Sequence, residues 1–271
     1  MISNQLRLFV LAVQFYTRVP VLGSLSAWAN YAPTRLAKAT RYFPLVGLLV
    51  GVLIAMTYVL LASFLPHSIA ILLAVMAGVL TTGAFHEDGW ADFCDGFGGA
   101  SSRERTLEIM TDSRIGAYGA LGLFLLFALK LETLASIEPG WIAIGFICAH
   151  PFSRACAVMV MMILPYARPD DETKVKPVAQ NVSRVDCLVA IAFGLAPTVA
   201  AMIGFEQYEA FLLAALPALT ATVWMSRKFY KRLGGYTGDC LGAAQQVCET
   251  LFYVGLACYL TLYQQSVNMT Q

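Results

Sequence analysis

The sequence predicts an all-α, polytopic integral membrane protein of about seven transmembrane helices preceded by an N-terminal interfacial helix. Three observations carry that expectation. Of 271 residues, 58% are hydrophobic and only 13% charged, with a mean hydropathy of +0.66, more apolar surface than one soluble core needs. The apolar residues come in runs of about 17 to 25, the length a helix needs to cross about 30 Å of hydrocarbon. The cations are segregated: sixteen of the eighteen Lys and Arg lie in four alternate segments between the runs, as the positive-inside rule requires of loops on one side. No repeat, linker or low-complexity tract divides the chain, so a single domain, 1–271, is the simplest organisation.

Taken in order, residues 5 to 17 set Leu6, Phe9, Val10 and Val13 on one helical face before Arg18 and Pro20 end the pattern, which suits a helix lying in the interface. No basic n-region with a cleavage site precedes it, so no signal peptide is expected. Tyr42 to Phe85 carries no formal charge and is divided by Pro66-His67-Ser68, giving two spans joined by a tight turn. Further spans are expected over 117–137, 140–164, 187–204, 208–226 and 241–263, with a long polar loop over 166–186. The four basic segments, namely the N-terminal region, 86–116, 165–186 and 227–240, then share one side, the cytosolic one. That assignment depends on the short run 68–85 crossing. Seven Cys without a CxxC pair form neither a disulfide framework nor a zinc site, and a net charge of +1 leaves no nucleic-acid footprint.

The chemistry concentrates in 83–119, which holds seven of the seventeen acidic residues. On a helix Asp88, Asp92 and Asp95 stack along one face about 10 Å long. Like charges so close repel unless a cation sits between them, and oxygen ligands without Cys or His favour Mg²⁺, which takes one or two carboxylates and completes its shell with substrate phosphates. The bland alternative is a solvated acidic face. Gly89, Gly96, Gly98 and Gly99 weigh against it, because repeated glycine in a helix signals close approach of backbone or ligand. Asp112 and Arg114 bring a fourth carboxylate and a cation back to the same neighbourhood, able to close the metal site and hold a phosphate oxygen.

Charges inside spans are costly and point to function. Arg154 is expected to face the site and grip an anion, or else to pair with Glu132; Lys130 with Glu132 reads as a packing pair, and His150 as a core histidine. His86, abutting Asp88, is a general base or an orienting neighbour. In the loop 227–242, Arg227 and Lys228 read as anchors to an anionic leaflet. Thr237, Gly238 and Asp239, at the start of a span, present amides to a phosphate, with a plain N-cap as the alternative for Asp239. Arg103 is grouped with these substrate-binding candidates.

FHEDGWADFCDGFGG followed by LEIMTDSRIGAYGALGL resembles the cobalamin synthase family, the adenosylcobinamide-GDP ribazoletransferases of the bacterial membrane. FYTRVPV at 15–21, FPLVGLLVG at 43–51, SRACA at 153–157 and GGYTGDCLGA at 234–243 are similar to segments of that family in the same order. The resemblance implies transfer of a phosphorus-containing group in cobalamin biosynthesis. The 3′-hydroxyl of α-ribazole, or of its 5′-phosphate, attacks the cobinamide-linked phosphate of adenosylcobinamide-GDP, and GMP leaves, with Mg²⁺ present. It also implies a multi-pass protein of the cytoplasmic (inner) membrane with a cytosol-facing site. His86, Asp88, Asp92, Asp95, Asp112, Arg114 and Asp239 match family motif positions. Glu87 stands where the family accepts an apolar residue, and Trp90 is bulkier than usual. The expected roles are catalytic for His86, Arg114 and Arg154, substrate-binding for Thr237, Gly238, Asp239 and Arg103, and metal-binding for Asp88, Asp92, Asp95 and Asp112. The partners expected are the two small-molecule substrates and the lipid bilayer, with homo-oligomerisation left open. A CDP-alcohol phosphotransferase, which also uses an aspartate cluster, is the alternative. Its Ala-Arg pair soon after the first Asp-Gly is replaced here by Ala91-Asp92. A transporter would place its acids at mid-bilayer depth and repeat a pair of broken spans.

Overall fold

Every apolar run becomes a helix, because in hydrocarbon only a helix satisfies its own backbone groups. The computed structural model describes residues 2–168 and 182–269, so most of the expected loop 166–186 lies outside the described residues. In chain order the helices are α1 (Ile2–Tyr16), α2 (Gly23–Ala29), α3 (Pro33–Ala39), α4 (Phe43–Ala62), α5 (His67–Thr82), α6 (Phe85–Gly99), α7 (Arg103–Ile109), α8 (Ala117–Ser136), α9 (Pro139–Ile163), α10 (Arg184–Phe205), α11 (Tyr208–Leu233) and α12 (Gly238–Met269), with a 3₁₀ turn at Thr40–Tyr42. Among the described residues the only β pairing is one bridge, Tyr166 to Tyr236.

All seven expected spans fall on helices: α4, α5 and α8 to α12. Five segments are long and apolar enough to cross a membrane unaided, ending in α4, α8, α9, α10 and α11. α12, at 32 residues, is long enough, but its first half carries Gln245, Gln246 and Glu249 and it is not among the five. α5 has 16 residues, about 24 Å at 1.5 Å per residue, short of the hydrocarbon thickness. It qualifies only together with α6, from which it is bent by 88°. α9 is the hub, buried for most of its length, and packs against α4, α10, α11 and α12; α12 packs in turn on α6, α8 and α11. Small residues set these approaches, as is usual between membrane helices. A Cβ at Gly255 of α12 would run into the Leu213 carbonyl of α11, and one at Gly47 of α4 into Arg154 of α9.

The turns alternate between two ends of the bundle. At one, His67 Nε2 lies 3.2 Å from the Ile137 carbonyl oxygen, and Tyr259 donates to Gln207 at 2.6 Å. At the other, Arg41 pairs with Asp186, Arg103 reaches the Leu233 carbonyl, and Arg168 reaches Asp239. The basic segments gather at this second end. α1 packs there through Leu8, Val10, Leu11 and Ala12, with Phe9 and Val13 against the same cluster and Leu6 half exposed, so the buried face is broader than the expected one and departs from it at Leu6.

Candidate active site

The site is built on a corner. α5 ends at Gly83, whose φ of +68° is left-handed, and Ala84 follows at φ +58°, a conformation that costs a non-glycine residue about 1–2 kcal/mol. These two residues turn α6 across the end of the bundle. The glycines of α6 serve packing: Gly89 touches Gly242 and Asp239 at the start of α12, Gly96 accommodates Met110 and Gly98 accommodates Tyr118.

Asp88 and Asp92, one helical turn apart, line a cleft of about 440 Å³ with Glu87, Met110, Asp112 and Arg114. Asp92 also lies within electrostatic reach of Asp239, Asp95 and Arg168. Asp95, on the same helix, faces elsewhere. Its Oδ2 accepts the Gly116 N–H at 2.7 Å and its Oδ1 the Gly119 N–H at 2.8 Å, so both oxygens are engaged in fixing the N-terminus of α8, where a negative charge is favoured. Asp112 accepts from the Arg114 guanidinium, Nε shared between its two oxygens at 3.1 and 3.2 Å and Nη2 at 2.7 Å, and from the Arg114 backbone N–H at 3.1 Å. These hold its carboxyl down at about 2, the side-chain bonds being the largest cause. Arg114, its side chain 88% exposed, stands at the mouth of the cleft.

The substrate-binding candidates are arranged differently. Arg103 donates to the Leu233 carbonyl at 2.8 Å and the Ala167 carbonyl at 2.6 Å, tying α7 to the end of α11. Thr237 is fully buried; its Oγ1 accepts the Cys240 N–H at 3.3 Å and thereby caps α12 at Gly238. Asp239 accepts from Arg168 Nη2 at 2.9 Å. Arg168 gave no sequence signal, being one of four basic residues among four acidic ones in 165–186.

Behind α6 lies a second polar constellation. Lys130 of α8 donates to Glu249 Oε1 and Gln246 Oε1, both at 2.8 Å. Glu249 Oε2 lies 3.2 Å from His150 Nδ1 and accepts from Gln245 at 2.7 Å, while Gln246 donates to Glu87 Oε1 at 2.9 Å. Glu249 therefore replaces Glu132 as the counter-ion. Glu132 is two residues from Lys130, and i, i+2 side chains on a helix do not face one another. Arg154, 1% exposed, donates to the His150 carbonyl at 2.9 Å and lies over the Phe43 ring at 5.5 Å. His86 stacks on Phe43 at 5.7 Å. His86, Arg154 and Glu249 share an internal cavity of about 20 Å³, room for about one water, and the cleft itself is lined by neither His86 nor Arg154. Glu87, which stands at a position where the family accepts an apolar residue, lines both spaces.

Among the described residues no group of three or more His, Cys, Asp or Glu side chains is gathered to hold a metal ion alone. The side-chain donors at the cleft are oxygens, the carboxylates of Glu87, Asp88, Asp92 and Asp112 with the hydroxyls of Thr111 and Ser113, and two carboxylates suit a magnesium ion whose remaining ligands would be phosphate and water.

A family model described as cobalamin-5-phosphate synthase matches residues 8–257. An adenosylcobinamide-GDP ribazoletransferase of a Polaromonas species is 40% identical over 94% of this chain and 98% of its own. Relatives of the same name from Leptothrix cholodnii and Shewanella frigidimarina are 45% and 43% identical, each over 93% of this chain and 95% and 94% of their own. No solved structure matches the chain. Identity at this level over nearly the whole length, on a bundle of membrane helices, means that the chain belongs to the adenosylcobinamide-GDP ribazoletransferases, a family of transferases.

Proposed function

We propose that the protein joins adenosylcobinamide-GDP to α-ribazole, or to its 5′-phosphate, giving adenosylcobalamin, or its 5′-phosphate, and GMP, at a cleft facing the cytosol of the bacterial inner membrane. The ribazole 3′-oxygen bonds to the cobinamide-linked phosphorus, the P–O bond to the GMP phosphate breaks, and the hydroxyl proton passes to a carboxylate of the cleft. The observation that carries the reading is the cleft itself, where Asp88, Asp92, Asp112 and Arg114 converge at the end of the bundle that collects the basic segments. Phosphoryl transfer is mostly positioning and charge neutralisation, and these are the groups it needs.

Asp88 and Asp92 are the residues that would hold Mg²⁺, which when bound offsets the charge of the diphosphate. Arg114 is exposed and tethered by one carboxylate, so it exchanges Asp112 for the phosphate of the departing GMP. Asp95 acts on the fold, fixing α8 against α6 so that both walls of the cleft keep their spacing. His86, on the buried face of α6, stacks on the Phe43 ring that Arg154 also lies over, and these contacts orient the helix that carries Asp88 and Asp92. The cleft admits the diphosphate; the corrin ring, far larger, remains at its mouth.

The test is the reaction: purified protein in proteoliposomes, given adenosylcobinamide-GDP and α-ribazole with Mg²⁺, is expected to release GMP in step with corrinoid product. Release of CMP from a CDP-activated lipid, with no GMP formed, would assign the cleft to phospholipid synthesis instead.

A further inference from the structure

Away from the cleft, the C-terminal halves of α9 and α11 line a groove of about 430 Å³. Met159 and Ile163 of α9 and Leu219 and Val223 of α11 line it, and Arg227 and Lys231 close one end. Leu219 to Lys231 is twelve helical rises, about 18 Å along the helix, close to the depth of one bilayer leaflet. The apolar part points toward mid-bilayer and the basic part toward the end of the bundle that bears the site.

The basic pair differs from its neighbours. Lys228 lies over the Trp224 ring at 5.2 Å, and Arg232 is bound to the Ala100 carbonyl and lies over Phe97 at 5.4 Å. Arg227 and Lys231 are exposed, stand on one face at i, i+4, and among the described residues form no salt bridge. Ser226, 6% exposed, lines the same groove with an Oγ that has no hydrogen-bond partner. Two uncompensated cations, an orphaned hydroxyl and a leaflet-deep apolar trough together specify an amphiphile with a negative head.

We propose that this groove binds one anionic phospholipid, its phosphate held by Arg227 and Lys231 and one acyl chain laid between α9 and α11. The general leaflet attraction of a basic helix end thereby becomes a defined site that a single lipid occupies.

The experiment is native mass spectrometry of the full-length protein, delipidated in detergent and titrated separately with phosphatidylglycerol, with phosphatidylcholine of the same chains, and with inorganic phosphate. One phosphatidylglycerol is expected to bind at least tenfold more tightly than phosphatidylcholine. Arg227→Gln with Lys231→Gln should bring the two lipids near parity, about a fivefold loss for each cation removed. Val223→Trp, which fills the trough, should weaken both lipids while the protein stays monodisperse. The proposal is overturned if the double variant keeps the preference for phosphatidylglycerol. It is equally overturned if inorganic phosphate competes as well as the lipid does, or if Val223→Trp changes only the oligomeric state, which would make the groove a contact between copies of the chain.

Discussion

Aspartates that look alike in the sequence do different physical work. Asp88 and Asp92 face a cleft, whereas both oxygens of Asp95 are taken by the N–H groups of Gly116 and Gly119. Asp95→Asn leaves a single acceptor oxygen for two donors, so it is expected to lower stability by about 1–3 kcal/mol, read as a fall in the unfolding midpoint in detergent. Gly119→Ala should do the same, since its Cβ would run into the Asp95 carboxylate. Asp112 responds to pH in the opposite range from a buried acid. Arg114 holds its carboxyl down at about 2, so what the pair contributes to loop order is complete above the ordinary carboxylate value of about 4 and is lost as pH falls toward 2. Carboxyl-labelled NMR should show Asp112 titrating near 2 and returning toward 4 in Arg114→Ala. The sequence showed that these acids lie on one helix. It did not show which is spent on the backbone, because Asp95 meets amides 21 and 24 residues away, set by how α8 docks on α6.

The helices were legible wherever an apolar run was bounded by proline, glycine or charge, as at Pro66 and at Glu138-Pro139. The corner at Gly83-Ala84 was not, since alanine gives no sign of a left-handed backbone and the uncharged stretch continues through Thr81, Thr82 and Gly83 to Phe85. The buried cluster between α8, α9 and α12 was only half legible. Lys130 and Arg154 stood out as charges inside spans, but Glu249, which pairs with Lys130 and with the His150 that Arg154 contacts, lies far along the chain, in a helix whose register only the fold fixes. Removing one member of the buried pair strands the other: Glu249→Gln or Lys130→Met should each cost about 3–5 kcal/mol, and the double substitution Lys130→Met with Glu249→Leu should lie closer to wild type than either. Thermal unfolding of the three variants in one detergent measures this. Losses that add, the double substitution costing the sum of the two singles, would mean that the two charges do not support each other.

At the scale of the whole molecule, basic turns alternate with turns that hold no Lys or Arg, which places every chemistry-bearing loop at one end of the bundle. Impermeant maleimide added to intact cells should label a cysteine placed at Ser63, in a chain with Cys258→Ser, and should miss one placed at Ser101. Family membership rests on similarity along nearly the full chain. The division of labour within the site rests on geometry: α6 is turned sideways by its corner, carries two carboxylates to the cleft, is tied to α8 through its own Asp95, and packs through its own His86 on Phe43, with the buried cluster behind it. The most direct test of that division is the Mg²⁺ dependence of GMP release from adenosylcobinamide-GDP by wild type, Asp88→Asn and Asp92→Asn, present at equal levels in the membrane. The account predicts a loss of at least about a hundredfold in both variants, with residual activity needing more Mg²⁺. Wild-type rates at wild-type Mg²⁺ concentrations in both would show that the metal is held elsewhere.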